Sequence, residues 1–347
     1  MEDDLTSPLV SAAMSNPTDP DIDVLGIGNA LVDVLSPEAD ELVDRLGMAK
    51  GSMGLIDEER MAEIYAAMGP GTEVSGGSAA NTMAGIASLG GSAHYIGRVR
   101  DDQLGSVYTH DIRSIGVGFT TPPATEGPAT GCCLILVTPD AQRTMNTFLG
   151  ASSLLGPDEI DADLIGRARV TYLEGYLYDR PEAQHAFELA AAAAHDRGRQ
   201  VALTLSDVFC VERHRDAFRN LVAGHVDILF ANEPEILSLY EVDDFETAAD
   251  AVRAECPLAV LTRSERGAVV VTAGERVEVA AHPVEQLVDT TGAGDQFAAG
   301  FLHGLVTGRP LEVSARLGAL AAAEVISHLG PRPQVSLRRL AAPLLDT

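Results

Sequence analysis

Lysine is almost absent from this chain. Lys50 is the only one in 347 residues, and every other fixed side-chain cation is an arginine. A phosphate loop of the Gly-Lys-Ser/Thr kind is thereby excluded, because it needs a lysine beside the phosphates. Positive charge is scarce altogether: 24 Lys and Arg face 51 Asp and Glu, for a net charge of −27. This balance disfavours nucleic acid and anionic membrane as partners, since both reward basic patches. Cysteine is sparse too. Cys132, Cys133, Cys210 and Cys256 show no Cys-x-x-Cys spacing, so no zinc site is expected. Cys132 and Cys133 are adjacent in an apolar run and should point to opposite faces of a strand. All four read as small buried residues in a reducing, cytoplasmic setting. No long uncharged apolar run is present, which argues against a membrane span. Residues 1–21 are acidic and lack the basic start and apolar core of a signal peptide. They read as a disordered lead-in to a folded body over 22–340.

What is there is a repeating alternation. Asp23 to Gly28 reads as a buried first strand, and Leu31 to Leu35 continues with alternating apolar residues. Glu38 to Leu46 reads as a helix, Gly51 to Ile56 as a short strand, and Asp57 to Met68 as a helix. Val74-Ser75-Gly76-Gly77 reads as a turn into an Ala-rich helix, Ser78 to Leu89, which Gly90-Gly91 ends. From Arg169 to Thr272 strands and helices alternate, and two helices close the pattern, Gly292 to Val306 and Leu311 to His328. Alternation of this kind implies an α/β fold: a mostly parallel central sheet flanked by helices on both faces. Two stretches break the rhythm. Residues 31–56 and 117–150, the latter with a hairpin of Gly131 to Thr138 and Arg143 to Phe148, are assigned to a small β-sheet lid.

The most informative stretch is Asp289-Thr290-Thr291-Gly292-Ala293-Gly294-Asp295. It places small residues at a helix start, where unpaired N–H groups and a partial positive charge invite an anion. Asp295 follows within the first turn, beside that anion, where it can take a proton from an attacking hydroxyl. Its position at the helix start should lower its pKa. Taken alone, the stretch reads first as a capped helix start. Other segments weigh in. Asn29 and Asp33 follow the first strand, where open α/β sheets collect ligands, and Asp33 can accept two hydrogen bonds from a vicinal diol. Gly76, Gly77, Ser78 and Asn81 form a second glycine loop at a helix start, with Ser78 a candidate N-cap. Asn232-Glu233-Pro234-Glu235 puts Glu235 at a strand's carboxyl end, where it can hold magnesium through water or simply cap a helix. Arg143, at the tip of the lid hairpin, is a cation that can swing onto a transferring phosphoryl group. Thr262 to Gly267 is a turn between two strands that can border a nucleotide.

Together these segments resemble the ribokinase-like (PfkB) carbohydrate and nucleoside kinase family, from about Val24 to Pro333 and in the family's order. Gly76-Gly77 with Asn81 is similar to the N-terminal signature, Asp289 to Asp295 to the C-terminal one, and Asn232-x-x-Glu235 to the magnesium/phosphate motif. The resemblance implies an ATP- and Mg2+-dependent phosphotransferase acting on a hydroxyl of a small nucleoside or sugar, as a monomer or homodimer. It implies Asp295 as general base and Gly292, Ala293 and Gly294 as the anion hole, with Arg143 assisting. Asn29, Leu31, Asp33, Gly76, Gly77, Ser78, Asn81, Met145 and Tyr176 would hold the acceptor. Asn232, Thr262, Gly267 and Thr290 would border ATP. Glu235 would organise magnesium, and Asp289 and Thr291 would border a K+ site. The pattern Gly28 to Asp33, Thr130-Gly131-Cys132-Cys133 and Arg143 is similar to the adenosine kinase subgroup, which implies the 5′-hydroxyl of adenosine as acceptor, with ribose, fructose or a related sugar as the alternative. Leu31, Met145, Tyr176 and Leu177 would then flank a purine. One position departs from the family: Ser264 stands where relatives often carry Gly.

Overall fold

The computed structural model describes residues 19–140 and 142–345. The expected lead-in over 1–21 lies outside these as far as residue 18; Asp21 already accepts two hydrogen bonds from the Arg167 guanidinium. The chain opens with β1 (Ile22–Ile27), β2 (Leu31–Pro37), α1 (Asp40–Arg45), β3 (Met53–Leu55), α2 (Glu58–Ala67) and β4 (Thr72–Gly76). Then come α3 (Ser78–Leu89), β5 (Ala93–Ile96), α4 (Gln103–Ser114), β6 (Val117–Phe119), β7 (Gly131–Val137), β8 (Arg143–Phe148) and α5 (Ala162–Gly166). The alternating half runs β9 (Ala168–Glu174), α6 (Pro181–His195), β10 (Gln200–Thr204), α7 (Val208–Gly224), β11 (Ile228–Asn232) and α8 (Glu233–Tyr240). It ends with α9 (Phe245–Glu255), β12 (Leu258–Thr262), β13 (Ala268–Thr272), β14 (Arg276–Val279), α10 (Ala293–Val306), α11 (Leu311–Val325) and α12 (Leu337–Leu345).

Nine strands form one sheet in the order β14-β13-β12-β11-β10-β9-β1-β5-β6. It is parallel except at one edge, where β12, β13 and β14 pair antiparallel. Its apolar residues feed two cores. Leu25 and Leu203 pack on one side with α6 and α7, while Val24 and Val260 pack on the other with α3 and α10. This is the mostly parallel α/β architecture expected from the alternation of elements. The chain leaves β1 toward β5 and β6, then returns to β9 on the other side of β1. Strand order thus reverses between β1 and β9, and a crevice opens at their carboxyl ends.

The second sheet has the order β3-β8-β7-β2-β4. Val74 to Gly76, read from the sequence as a turn, are strand residues paired with Leu31 to Asp33 of β2. Glycine is tolerated there because β4 is an edge strand whose end leads directly into α3. Val117 to Phe119, read as lid, instead pair with β5 in the large sheet. The register of the small sheet sorts its two faces. Asp33 opposes Cys133, Cys133 opposes Thr147, and Thr147 opposes Leu55. Directly opposed residues share a face, so one face carries Leu31, Asp33, Leu35, Ile135, Arg143, Met145, Met53 and Leu55. The other carries Val32, Val34, Cys132, Leu134 and Phe148, which bury against Leu42, Val43 and Ile64 of α1 and α2. Cys132 and Cys133 do point opposite ways.

Candidate active site

The crevice between β1 and β9 is bridged by hydrogen bonds. Asn29 Nδ2 donates to Glu174 Oε1 at 2.8 Å, and Ser152 Oγ donates to Asn29 Oδ1 at 3.1 Å. Glu174 Oε2 accepts from Ala79 N at 2.9 Å, which ties the start of α3 to the end of β9. Asn29 is therefore a support whose amide already serves its neighbours. Gly77 has φ 100, and a Cβ there would lie 2.1 Å from the Asn29 carbonyl oxygen. Only glycine fits that approach. Gly76 leaves room for the Asp33 carboxylate, 2.5 Å from where its Cβ would be.

Asp295 stands at the centre. Gly292, with φ 80, caps α10, and Asp295 follows in its first turn. Ser78 Oγ donates to Asp295 Oδ1 at 2.6 Å, and Asn81 Nδ2 donates to Oδ2 at 3.4 Å. Ser78 is thus not an N-cap, since Gly77 holds that position; its hydroxyl reaches across to the carboxylate instead. The two glycine signatures, more than 200 residues apart, meet through these bonds. The expected lowering of the Asp295 pKa is reversed. Burial pushes it up to about 7, the hydrogen bonds from Ser78 and Asn81 oppose this, and the charges of Glu174 and Asp33 add to it. Desolvation in a cluster of acids outweighs the helix start. Burial likewise raises Asp33 to about 6, against the pull of Arg332 and Arg143. Open space borders the backbone at Gly294, where an added Cβ would meet nothing within 4 Å.

Arg143 is not at an exposed hairpin tip. It begins β8 opposite Val137, its side chain is 9 % exposed, and it forms an ion pair with Asp289 and a hydrogen bond with Thr291 Oγ1. Register explains this: Arg143 shares the crevice-facing side of the lid with Asp33. Asp289 also accepts from Thr291 N, Thr291 Oγ1 and Gly330 N. Burial would raise its pKa, but these bonds and Arg143 hold it below the ordinary value. A carboxylate with four donors, one of them a guanidinium, does not fit a monovalent cation.

Asn232 and Glu235 form a reciprocal capping box on α8. Glu235 N donates to Asn232 Oδ1, and Asn232 N and Nδ2 donate to the Glu235 carboxylate. Burial raises Glu235 to about 7, with the charge of Asp207 adding to it. Tyr176 feels the charges of Asp207, Asp295 and Glu235, which places it on this side of the crevice; its hydroxyl donates to Ser206 O at 3.2 Å. Among the described residues no three acidic, His or Cys side chains gather as a direct metal cage. The buried Glu235 carboxylate suits magnesium held through water and nucleotide phosphates, as that ion prefers. The Thr262–Gly267 turn joins β12 and β13 and is pinned by Arg263 and Arg266 to Glu233. Ser264 there has φ 52, a conformation that glycine adopts without strain. Thr290 is exposed beside the α10 start. Leu177, expected to flank a purine, instead lies buried in the core beneath α6 and α7. Leu31 and Met145 do share the crevice face of the lid with Asp33.

Sequence reading passed over Glu174 and Arg332. Arg332 Nε donates to Asn81 Oδ1 at 3.2 Å, and its Nη1 pairs with Asp111 at 3.1 Å. No local motif marks either residue; only the fold brings them here.

This arrangement, a glycine-capped helix start with a carboxylate in its first turn beside a second β-sheet, is that of a phosphotransferase of the ribokinase-like class. The model of the pfkB family carbohydrate kinases matches residues 56–337, and the chain belongs to that family. It is similar to the structure of an adenosine kinase from Sinorhizobium meliloti, with 51 % identity and a TM-score of 0.85, covering 93 % of this chain and 99 % of that one. A probable sugar kinase from Rhizobium etli CFN 42 is similar to the same degree, with 50 % identity, a TM-score of 0.85 and the same coverage. The adenosine kinase of Saccharomyces cerevisiae is 28 % identical over 333 residues, 88 % of this chain and 95 % of that protein.

Proposed function

We propose that this kinase transfers the γ-phosphoryl group of ATP to the 5′-hydroxyl of adenosine, giving AMP and ADP. The observation that carries the acceptor is the crevice face of the lid. Beside Asp33 it presents Leu31 and Leu35, and farther across the sheet Met145, Met53 and Leu55, of which the last two are 58 % and 63 % exposed. An apolar face of this extent suits the flat ring of a purine; a free sugar has no group to cover it. Asp33 beside Gly76 takes the ribose hydroxyls. The 51 % identical adenosine kinase supports this reading.

Asp295 accepts the proton of the attacking hydroxyl, held in place by Ser78 and Asn81. The new O–P bond forms as the bond from the γ-phosphorus to the bridging oxygen breaks, and ADP leaves. The first turn of α10 faces the developing charge. Arg143, paired with Asp289 beside the start of α10, adds positive charge on that side of the site. Magnesium, when bound near Glu235, supplies charge neutralisation for the phosphates. Incubating the purified protein with MgATP and adenosine, ribose or fructose, then weighing the products, tests the acceptor. AMP is expected; a sugar phosphate without AMP overturns it. Asp295→Asn is expected to bind adenosine and lose most turnover.

A further inference from the structure

The segment Gly330–Arg332, which follows α11, touches Asp289 and the starts of both α3 and α10. Gly330 N donates to Asp289 Oδ2 at 3.0 Å. Pro331 lies against Gly292, where a Cβ would come within 2.7 Å of the Pro331 Cα. Gln296 Nε2 donates both to Pro331 O at 3.1 Å and to Asn81 O at 2.9 Å. Arg332 then reaches two side chains, Asn81 Oδ1 through Nε and Asp111 Oδ2 through Nη1. Its Nη2 is buried and has no partner among the described residues. Asp111 is itself held by the amide and hydroxyl of Ser75 on β4. Arg332 is thus anchored from behind by a carboxylate that cannot easily move.

The contact with Asn81 has a directional consequence. A carboxamide has a donor end and an acceptor end. Arg332 only donates, so it holds Oδ1 toward itself and leaves Nδ2 aimed at Asp295. The flipped amide would set Oδ1 against the Asp295 carboxylate and an NH2 group against the guanidinium, two repulsions at once. We propose that Arg332 is a positioning residue for phosphoryl transfer: it fixes the orientation of the Asn81 amide and, through it, the aim of the Asp295 carboxylate. This rests on the reading of Asp295 as the base. The path Asp111, Arg332, Asn81, Asp295 draws on α4, the C-terminal segment, α3 and α10. A misdirected carboxylate costs rate rather than nucleotide binding, because the proton must be met at hydrogen-bond distance.

The test is steady-state kinetics of Arg332→Ala, Arg332→Lys, Asn81→Ala and the Arg332→Ala/Asn81→Ala double variant, with Asp295→Asn in parallel. Arg332→Ala should lose about tenfold or more in kcat with little change in KM for MgATP, since small misplacements at a reacting centre are costly. Arg332→Lys keeps the charge but not the fork that serves Asn81 and Asp111 together, so its kcat should fall as well. Guanidinium ion at low concentration should restore part of the activity of Arg332→Ala and none of Arg332→Lys. The double variant should be no slower than Asn81→Ala, because both changes break the same link. If Arg332→Ala does not fold, Arg332→Lys decides alone. Wild-type kcat in a folded Arg332→Lys variant, or losses that multiply in the double variant, would overturn the proposal. Should Asp295→Asn itself retain turnover, the base assignment fails instead.

Discussion

Asp295 carries the largest conflict between local and global forces in this molecule. Its helix start favours the charged form, yet burial among Glu174 and Asp33 raises its pKa to about 7. Two measurements follow. As a base it works ionised, so kcat/KM should rise with pH through about 7 and level off above; a profile flat down to the ordinary carboxylate range would contradict this. For stability the sign is opposite. The folded pKa lies above the unfolded value, so the contribution is full below the unfolded value and is lost as pH rises through about 7. Asp295→Asn should therefore melt higher than wild type at about pH 8, and the difference should shrink as pH falls to about 4, the ordinary carboxylate value. Scanning calorimetry at both pH values checks it. Arg143 makes a second residue-scale prediction. With Asp289 holding Arg143, replacing K+ by tetramethylammonium should leave turnover unchanged, and strict dependence on K+ would show that Arg143 leaves Asp289 during the reaction.

Among the elements, helix starts and helix contacts place the chemistry. α3 and α10 meet at Gly85, where a Cβ would lie 2.5 Å from that of Ala299, and α10 meets α11 at Gly300, where a Cβ would lie 2.4 Å from the Leu317 carbonyl oxygen. These close approaches fix Asp295 relative to Ser78. The start of α3 is the most constrained point. Gly77→Ala meets both a φ of 100 and the Asn29 carbonyl, and should cost about 2 kcal/mol or more. Denaturant titration reads the stability, and acceptor KM reads the shifted helix start; unchanged values would show that the loop relaxes freely. The lid strands act through register. One residue of slip in β8 would send Arg143 and Met145 to the covered face and bring Asn146 into the crevice.

At the scale of the whole molecule, charge is the dominant feature. A net charge of −27 repels itself in the compact state. Raising NaCl from about 10 mM to about 500 mM should raise the melting temperature, because the screening length shortens from about 30 Å to a few ångströms. A melting temperature independent of salt would mean that the acids are already paired locally, as Asp140 is with Lys50 and Asp21 with Arg167. Among the described residues no helix is long and apolar enough to cross a membrane.

The sequence by itself determined the alternation of strands and helices, the bounds of β8, α3, α8 and β12, and the glycine and carboxylate signatures. These are local matters, set by periodicity, caps and breakers within a few residues. Even α9, which was passed over, is written in Asp244 as its cap and in Phe245, Ala248, Ala249 and Val252 on one face. Only the tertiary structure decided the rest. Strand partners placed Val117 to Phe119 in the large sheet, and core packing took Leu177 away from the crevice. Burial reversed the pKa of Asp295, because desolvation depends on what surrounds a carboxylate and not on what precedes it. Arg332, 37 residues beyond Asp295 in the chain, reached the site only because α10 and α11 fold back on each other. Which way the Asn81 amide faces follows from that long-range contact alone.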